Sequence, residues 1–149
     1  MNYLTLSILA FTGGVLLAVQ GTLNAQLSVL LKSPLLASLV ASFFSVIFAL
    51  SMAALSLKSV PTMQDIKGVP YYLWFLGALF SVAGISLYYF TIPKLGISSM
   101  ISLGLCGQMI FSVIAGHFGF LGMPTEPIDY KRTMGVMAMI IGILLINNK

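Results

Sequence analysis

Two amides within the first apolar stretch are the side chains best placed to recognise a solute. Gln20 and Asn24 lie four residues apart, so a helix presents them on one face, whereas Gln26 points elsewhere. In hydrocarbon an amide needs a hydrogen-bonding partner, either on another helix or on a solute in a water-filled cavity. We predict that Gln20 and Asn24 line a substrate-binding cavity, with helix-to-helix bonding as the alternative.

A second polar line follows the fourth apolar stretch, where Gly104, Gln108, Ser112 and Gly116 recur every four residues. Such a stripe is typical of a cavity lining or of a tight packing face, and we assign Gln108 and Ser112 to the cavity. His117 follows directly and is the candidate for a proton-linked role, because imidazole changes charge near neutral pH. The alternative is an interfacial histidine satisfied by water or by a loop carbonyl.

Glycines within the apolar stretches predict close helix packing or local flexure. The candidates are Gly13, Gly14, Gly21, Gly104 and Gly107. Small residues also recur every four positions in the second stretch, which predicts a packing seam at Ala37, Ala41, Ser45, Ala49 and Ala53.

Enzymatic chemistry has little support in this sequence. There is no metal-ligand spacing, no nucleophile with a plausible base, no Walker-type loop and no dinucleotide fingerprint. The single cysteine, Cys106, excludes an intramolecular disulfide. We predict no enzymatic activity, no cofactor and no bound metal.

Charged residues divide the sequence into the apolar stretches that must position these side chains. Of the 149 residues, 59% are hydrophobic and 7% are charged, which is too few polar groups to cover a water-facing surface. Uncharged stretches run over 1–31, 33–57, 68–93, 95–125 and 133–148. Since roughly 20 apolar residues cross the ~30 Å hydrocarbon core, we predict one all-α integral membrane domain over 1–149. Its five helices are expected at about 3–31, 34–57, 70–92, 95–120 and 130–147.

Aromatic and basic residues support this division. The six tyrosines lie towards the ends of the stretches, as in an interfacial aromatic belt, at Tyr3, Tyr71, Tyr72, Tyr88, Tyr89 and Tyr130. The formal net charge is +4, and the basic residues are spread singly over the loops and not clustered in one patch. This distribution indicates membrane anchoring and not nucleic-acid binding. The first stretch has no basic start and no clear small-x-small cleavage site, so we expect it to remain in the mature protein.

Charge also constrains the solute and the orientation. No Asp, Glu, Lys or Arg lies near the middle of a predicted span, which favours a neutral or amphiphilic solute over a lipophilic cation. With five spans, one side carries Lys58, Lys67, Lys131 and Arg132, and the other carries Lys32, Lys94 and Lys149. This near balance fixes no orientation. Insertion in both orientations with assembly as an antiparallel pair, and a fixed topology with chance balance, both remain open.

Several motifs resemble a known family. They are Gln20-Gly21-x2-Asn24-Ala25 preceded by Gly14-x3-Ala18, then Ile92-Pro93-x-Leu95-Gly96, Gly107-Gln108, and His117-Phe118-Gly119. Together they are similar to the YdcZ-type family of the drug/metabolite transporter superfamily, over nearly the whole chain. Where that family has an acidic residue before the His-Phe-Gly element, this chain has Gly116.

The resemblance implies five transmembrane helices that form one half of a ten-helix transporter. It also implies a homodimer, or a pair with a second five-helix homologous subunit, in a bacterial inner membrane. Gln20, Asn24 and Gln108 would then line the shared cavity. We expect a transporter of a small neutral or amphiphilic solute that works by alternating access. The alternative is a non-transporting scaffold or accessory subunit, and a lipid-translocating or channel-like protein is less favoured because no charged ring or long pore lining is evident.

Overall fold

The protein is all-helical. The computed structural model describes residues 2–56 and 60–147. In chain order its helices are α1 (Tyr3–Leu30), α2 (Pro34–Ser56), α3 (Met63–Gly68), α4 (Tyr71–Leu95), α5 (Ile97–Phe118) and α6 (Tyr130–Asn147), with a 3₁₀ turn at Phe120–Gly122 before α6. Among these, α1, α2, α4, α5 and α6 are long and apolar enough to cross a membrane. The predicted all-α fold with five membrane-spanning helices is confirmed.

The ends of the helices correct several predicted boundaries. The third span begins at Tyr71 and continues through Pro93 to Leu95, although the sequence predicted an end at Ile92. Proline costs this turn one backbone hydrogen bond and its ring crowds the preceding turn, but membrane-spanning helices tolerate proline through local adjustment of the backbone. The fourth span begins at Ile97 and not at Leu95, because Gly96 has a φ of 85° that no helix contains. The predicted end of the second span, Leu57, lies outside the described residues.

A short helix that the sequence reading missed lies between the second and third spans. Thr62 and Asp65 form a capping box at the start of α3: Asp65 donates its backbone N–H to Thr62 Oγ1 (3.3 Å), and the Thr62 N–H donates to the Asp65 carboxylate (2.9 Å). Hydrogen bonds from the Thr62 side chain and backbone lower the pKa of Asp65. This cap therefore stabilises α3 while Asp65 is ionised, and the contribution is lost as the pH falls through the lowered pKa.

Two compact units make up the chain, Met1–Lys94 and Leu95–Lys149. In the first unit α1 and α2 form a helical hairpin, and the residues buried in these two helices are small: Ala25, Ser28, Ala37 and Ser38. Small side chains let two backbones approach closely. The predicted seam of α2 is thus buried at Ala37 but exposed at Ser45 and Ala49. A single transmembrane domain remains a prediction.

Backbone hydrogen bonds close the turn between α1 and α2. Lys32 donates its N–H to the Val29 carbonyl (3.2 Å) and Ser33 donates to the Ser28 carbonyl (3.1 Å), which is the pattern of a Schellman motif. Lys32 occupies the left-handed position of this motif with a φ of 53°. A side chain in that conformation is unfavourable by roughly 1–2 kcal/mol.

Two substitutions of Lys32 distinguish the effect of the backbone strain on stability from the effect of the charge. We expect Lys32→Gly to raise the free energy of unfolding by up to about 1 kcal/mol, because glycine adopts a positive φ without the steric penalty. Lys32→Ala removes the same charge but keeps the strained conformation, so it is the matched control. Unfolding in mixed micelles measures both variants. Equal stability of the two would show that the left-handed position carries no strain.

Candidate functional site

A hydrogen bond between α1 and α4 uses one of the two predicted cavity amides. Asn24 Nδ2 donates to the Tyr89 hydroxyl oxygen at 2.9 Å. Tyr89 is only 2% exposed, while Asn24 is half-buried. Each residue lies six positions before the last residue of its helix, Leu30 or Leu95, which is about 9 Å along the axis. The bond therefore joins α1 and α4 within the membrane-spanning region. The Asn24 amide nitrogen thus contacts a neighbouring helix.

Glycine allows close approach beside this bond. A Cβ added at Gly21 would lie 3.7 Å from Ile92 Cδ1, an ordinary van der Waals distance. At Gly13 and Gly14 an added Cβ would meet nothing within 4 Å. The structure thus places Gly21 at the contact between α1 and α4 and gives Gly13 and Gly14 no close neighbour within the described part of the chain. Flexure at these three positions remains a prediction.

Gln20 behaves differently from Asn24. Its side chain is exposed, and no hydrogen bond joins it to any residue that the structure describes. The midpoint of α1 lies between residues 16 and 17, so Gln20 is about 5 Å from the middle of the helix along its axis. A free amide at this depth is the most unusual polar group of α1, since transfer of an unpaired amide into hydrocarbon costs roughly 4–8 kcal/mol.

In the second unit the predicted polar stripe is only partly exposed. Gln108 and Ser112 are exposed and Gly104 is half-buried, and the Ser112 hydroxyl donates to the Met109 carbonyl of its own helix at 2.9 Å. A Cβ added at Gly107 would meet nothing within 4 Å. The structure therefore brings Gln108 and Ser112 to one exposed face of α5. Their contact with a solute remains a prediction.

His117 lies in the last turn of α5, not in the middle of a span. Its ring is exposed, stands edge to face with Phe118 at a centroid distance of 5.0 Å, and accepts the Ile128 N–H through Nδ1 at 3.3 Å. His117 thus ties the loop before α6 to the end of α5, and its proton-linked role remains a prediction.

The loop between α5 and α6 also contacts these helices at a second set of residues. Gly119 ends α5 with a φ of 60°, and a Cβ there would lie 2.6 Å from Thr125 Cγ2, so only glycine fits. Glu126 donates its N–H to the Gly116 carbonyl at 2.8 Å, and its carboxylate pairs with the Arg132 guanidinium. Arg132 Nη1 also donates to the Glu126 carbonyl at 2.9 Å. These bonds hold the α5–α6 connection against both helices.

Sequence reasoning missed two of these roles. It placed Tyr89 in an interfacial belt, whereas the side chain is buried against α1. Tyr3, Tyr71 and Tyr130 are the exposed first residues of their helices, and their place in such a belt stays a prediction. It assigned the basic residues, Arg132 among them, to membrane anchoring and predicted no ion pair with Glu126. Their opposite charges were visible, but a spacing of six residues across a loop predicts no contact.

Five apolar spans joined by short connections, with amide and hydroxyl groups inside the spans, define a multi-pass helical membrane protein. A family model described as "Putative inner membrane exporter, YdcZ" matches residues 5–145. The chain therefore belongs to this family of the inner membrane, and the predicted family membership and location are confirmed. Searches of the curated proteins and of the solved structures gave no match.

The bond between Asn24 and Tyr89 has a measurable energy. We expect Tyr89→Phe to lower the stability in detergent by about 0.6 kcal/mol and by no more than ~1.7 kcal/mol, the range of hydrogen bonds between membrane helices. Tyr71→Phe removes a hydroxyl from an exposed tyrosine at a helix start and should change nothing.

The double variant Asn24→Leu with Tyr89→Phe tests the pairing itself. Its loss of stability should be smaller than the sum of the two single losses, because both changes remove the same bond. Additive losses would show that the two side chains contribute independently.

Proposed function

We propose that this chain exports a small neutral or amphiphilic solute across the inner membrane by alternating access, as one half of a dimer. The exposed amide of Gln20, about 5 Å from the middle of α1, carries this proposal. Membership of the exporter family supports transport as the activity. The solute class and the dimer are inferred from the physical chemistry of the spans.

A lipid-facing position cannot explain the Gln20 side chain. Its amide would lose its hydrogen bonds to water in the hydrocarbon core, at a cost of several kcal/mol. The amide keeps its hydrogen bonds if a second subunit covers this face or if the face lines a water-filled cavity. Transporters built from paired halves provide both conditions, because their sites form near the bilayer midplane where the two halves meet.

Hydrogen bonding, and not charge, is the recognition chemistry available in the spans. The charged residues of the described spans lie near helix ends, at Lys94, Lys131 and Arg132. A carboxylate that could alternate between a proton and a cationic solute is therefore missing from the described spans. We propose that Gln20, Asn24 and Gln108 take part in solute binding in the assembled transporter, with Ser112 as a further polar contact and with no enzymatic step.

The partner is a second copy in the opposite orientation, or a homologous five-helix subunit. Basic residues are nearly balanced between the two sides, which allows insertion in both directions. Two of the residues in that count, Lys58 and Lys149, lie outside the described residues. An antiparallel pair would place the exposed α1 faces of two copies in symmetric surroundings.

A scaffold or accessory subunit is the second candidate function, and one observation favours it. Asn24 already binds Tyr89, and Ser112 already bonds to its own helix, as expected of polar groups that only stabilise the spans. In that case a change at Gln20 would alter stability or assembly and would have no effect specific to a ligand.

Ligand-dependent thermal unfolding distinguishes the two functions. We expect some member of a panel of neutral and amphiphilic metabolites to stabilise the wild type, by about 2.7 kcal/mol at 100 times its Kd. Gln20→Ala should abolish this stabilisation. Gln26→Ala is the matched control, because Gln26 is also an exposed amide of α1 but lies only four residues from the helix end. A stabilisation that both variants retain would exclude Gln20 from the binding site.

Topology can be tested with one engineered thiol. On a Cys106→Ser background, Gln64→Cys places a thiol on α3, between the second and third spans. A membrane-impermeant maleimide should label part of the protein from outside intact cells and the rest only after lysis, because both orientations coexist in an antiparallel homodimer. Complete labelling from one side alone would exclude dual insertion and the antiparallel homodimer, and would leave a subunit of fixed topology. The Cys106→Ser background alone, which has no thiol, should not be labelled.

A further inference from the structure

The short helix α3 presents an apolar edge that the described chain leaves uncovered. This edge consists of Met63 and Ile66, which lie about 60° apart around the helix axis because each residue turns an α-helix by about 100°. Met63 is 69% exposed and Ile66 is 41% exposed, and no residue of α3 is buried. The two large apolar side chains are therefore free to contact another apolar phase.

The polar side chains of α3 lie away from this edge. Gln64 and Asp65 each lie about 130° from the middle of the edge, on opposite sides of it. The bonds to Thr62 hold Asp65 in the capping box and lower the pKa of its carboxyl group. Lys67 lies about 70° from the middle of the edge, where a lysine can lay its stem on an apolar surface and keep its ammonium in water. This division is typical of a helix that lies flat in a membrane interface.

The following span keeps α3 close to the membrane surface. Gly68 precedes Tyr71, the first residue of α4, by three residues, so the two lie no more than about 11 Å apart. The 25 residues of α4 extend about 37 Å along its axis, which exceeds the ~30 Å hydrocarbon core, so its ends reach the headgroup regions. The lipid around α4 is therefore within reach of the apolar edge.

From this arrangement we propose that α3 lies in the interface between lipid and water, with the apolar edge inserted among the lipid headgroups and with Gln64 and Asp65 facing water. The partner is the surface of the same bilayer that surrounds α2 and α4, which belong to the same unit as α3. The contact is apolar, because the formal charges of Asp65 and Lys67, the two charged residues of α3, cancel. The helix holds the connection between α2 and α4 at the membrane surface, independently of the transported solute.

Spin labelling of the full chain tests this placement. On a Cys106→Ser background, the single variants Met63→Cys, Gln64→Cys, Ile66→Cys and Gly68→Cys each carry a nitroxide in phosphatidylcholine vesicles. A Cβ at Gly68 would meet nothing within 4 Å, and Asp65 stays unchanged because it caps the helix. Electron paramagnetic resonance measures collisions of each nitroxide with oxygen, which concentrates in lipid, and with a water-soluble nickel chelate. We expect a severalfold higher ratio of oxygen to nickel collisions at positions 63 and 66 than at 64 and 68.

Two outcomes of this experiment would overturn the proposal. Equal access of the nickel chelate to all four positions would place the whole of α3 in water. Protection of positions 63 and 66 from both reagents would show that a protein surface, such as a second copy of the chain, covers the apolar edge.

Lipid composition and one substitution test the apolar character of the contact. We expect the same collision pattern in vesicles that contain phosphatidylglycerol, whereas a pattern that needs this anionic lipid would assign the contact to Lys67 and refute an apolar one. Met63→Gln makes half of the edge polar, so it should lower the ratio of oxygen to nickel collisions severalfold for the label at Ile66→Cys. Gln64→Glu changes the water-facing side and is the control, which should leave that ratio unchanged. An unchanged ratio with Met63→Gln would also contradict the proposal.

Discussion

Hydrocarbon as a solvent is the constraint on which this structure depends. Lipid tails offer no hydrogen bonds, so the spanning segments must satisfy their backbone groups internally, and helices do so. The helix ends follow the same rule: a Schellman motif closes α1, and near the end of α5 the Gly116 carbonyl accepts the backbone N–H of Glu126 from the loop. Threonines inside the spans bond back to their own helix, as Thr22 does to the Ala18 carbonyl at 2.9 Å. Polar side chains in the spans that have no such hydrogen-bonding partner are therefore the exceptions.

The spans could be predicted from sequence because they depend on composition alone. Charged residues separate stretches long enough to cross a bilayer, and this pattern needs no knowledge of tertiary contacts. Helix ends were less predictable where a single backbone angle decides them, as at Gly96 and Gly119. The helix α3 was missed although Thr62-x-x-Asp65 is a recognisable capping box, because six residues between two hydrophobic stretches were read as loop.

The candidate site was predicted in its residue types but not in its pairings. The spacing of Gln20 and Asn24 placed both amides on one face, yet their surroundings differ: Asn24 meets Tyr89, whereas Gln20 is exposed. Such a difference depends on how helices cross, and a single sequence does not encode that in any local pattern. Burial of Tyr89 was unpredictable for the same reason, since a tyrosine near the end of a span suits both an interface and a helix contact.

The bond between Asn24 and Tyr89 has a mechanical consequence for any cycle of opening and closing. A displacement of one helical turn along either axis moves the donor by about 5.4 Å, which is enough to break a 2.9 Å hydrogen bond. A change in the angle between the two helices about that point leaves the distance nearly unchanged. Sliding of α1 along α4 is therefore resisted while tilting is permitted, and the amide and the phenol act as a pivot for the two helices.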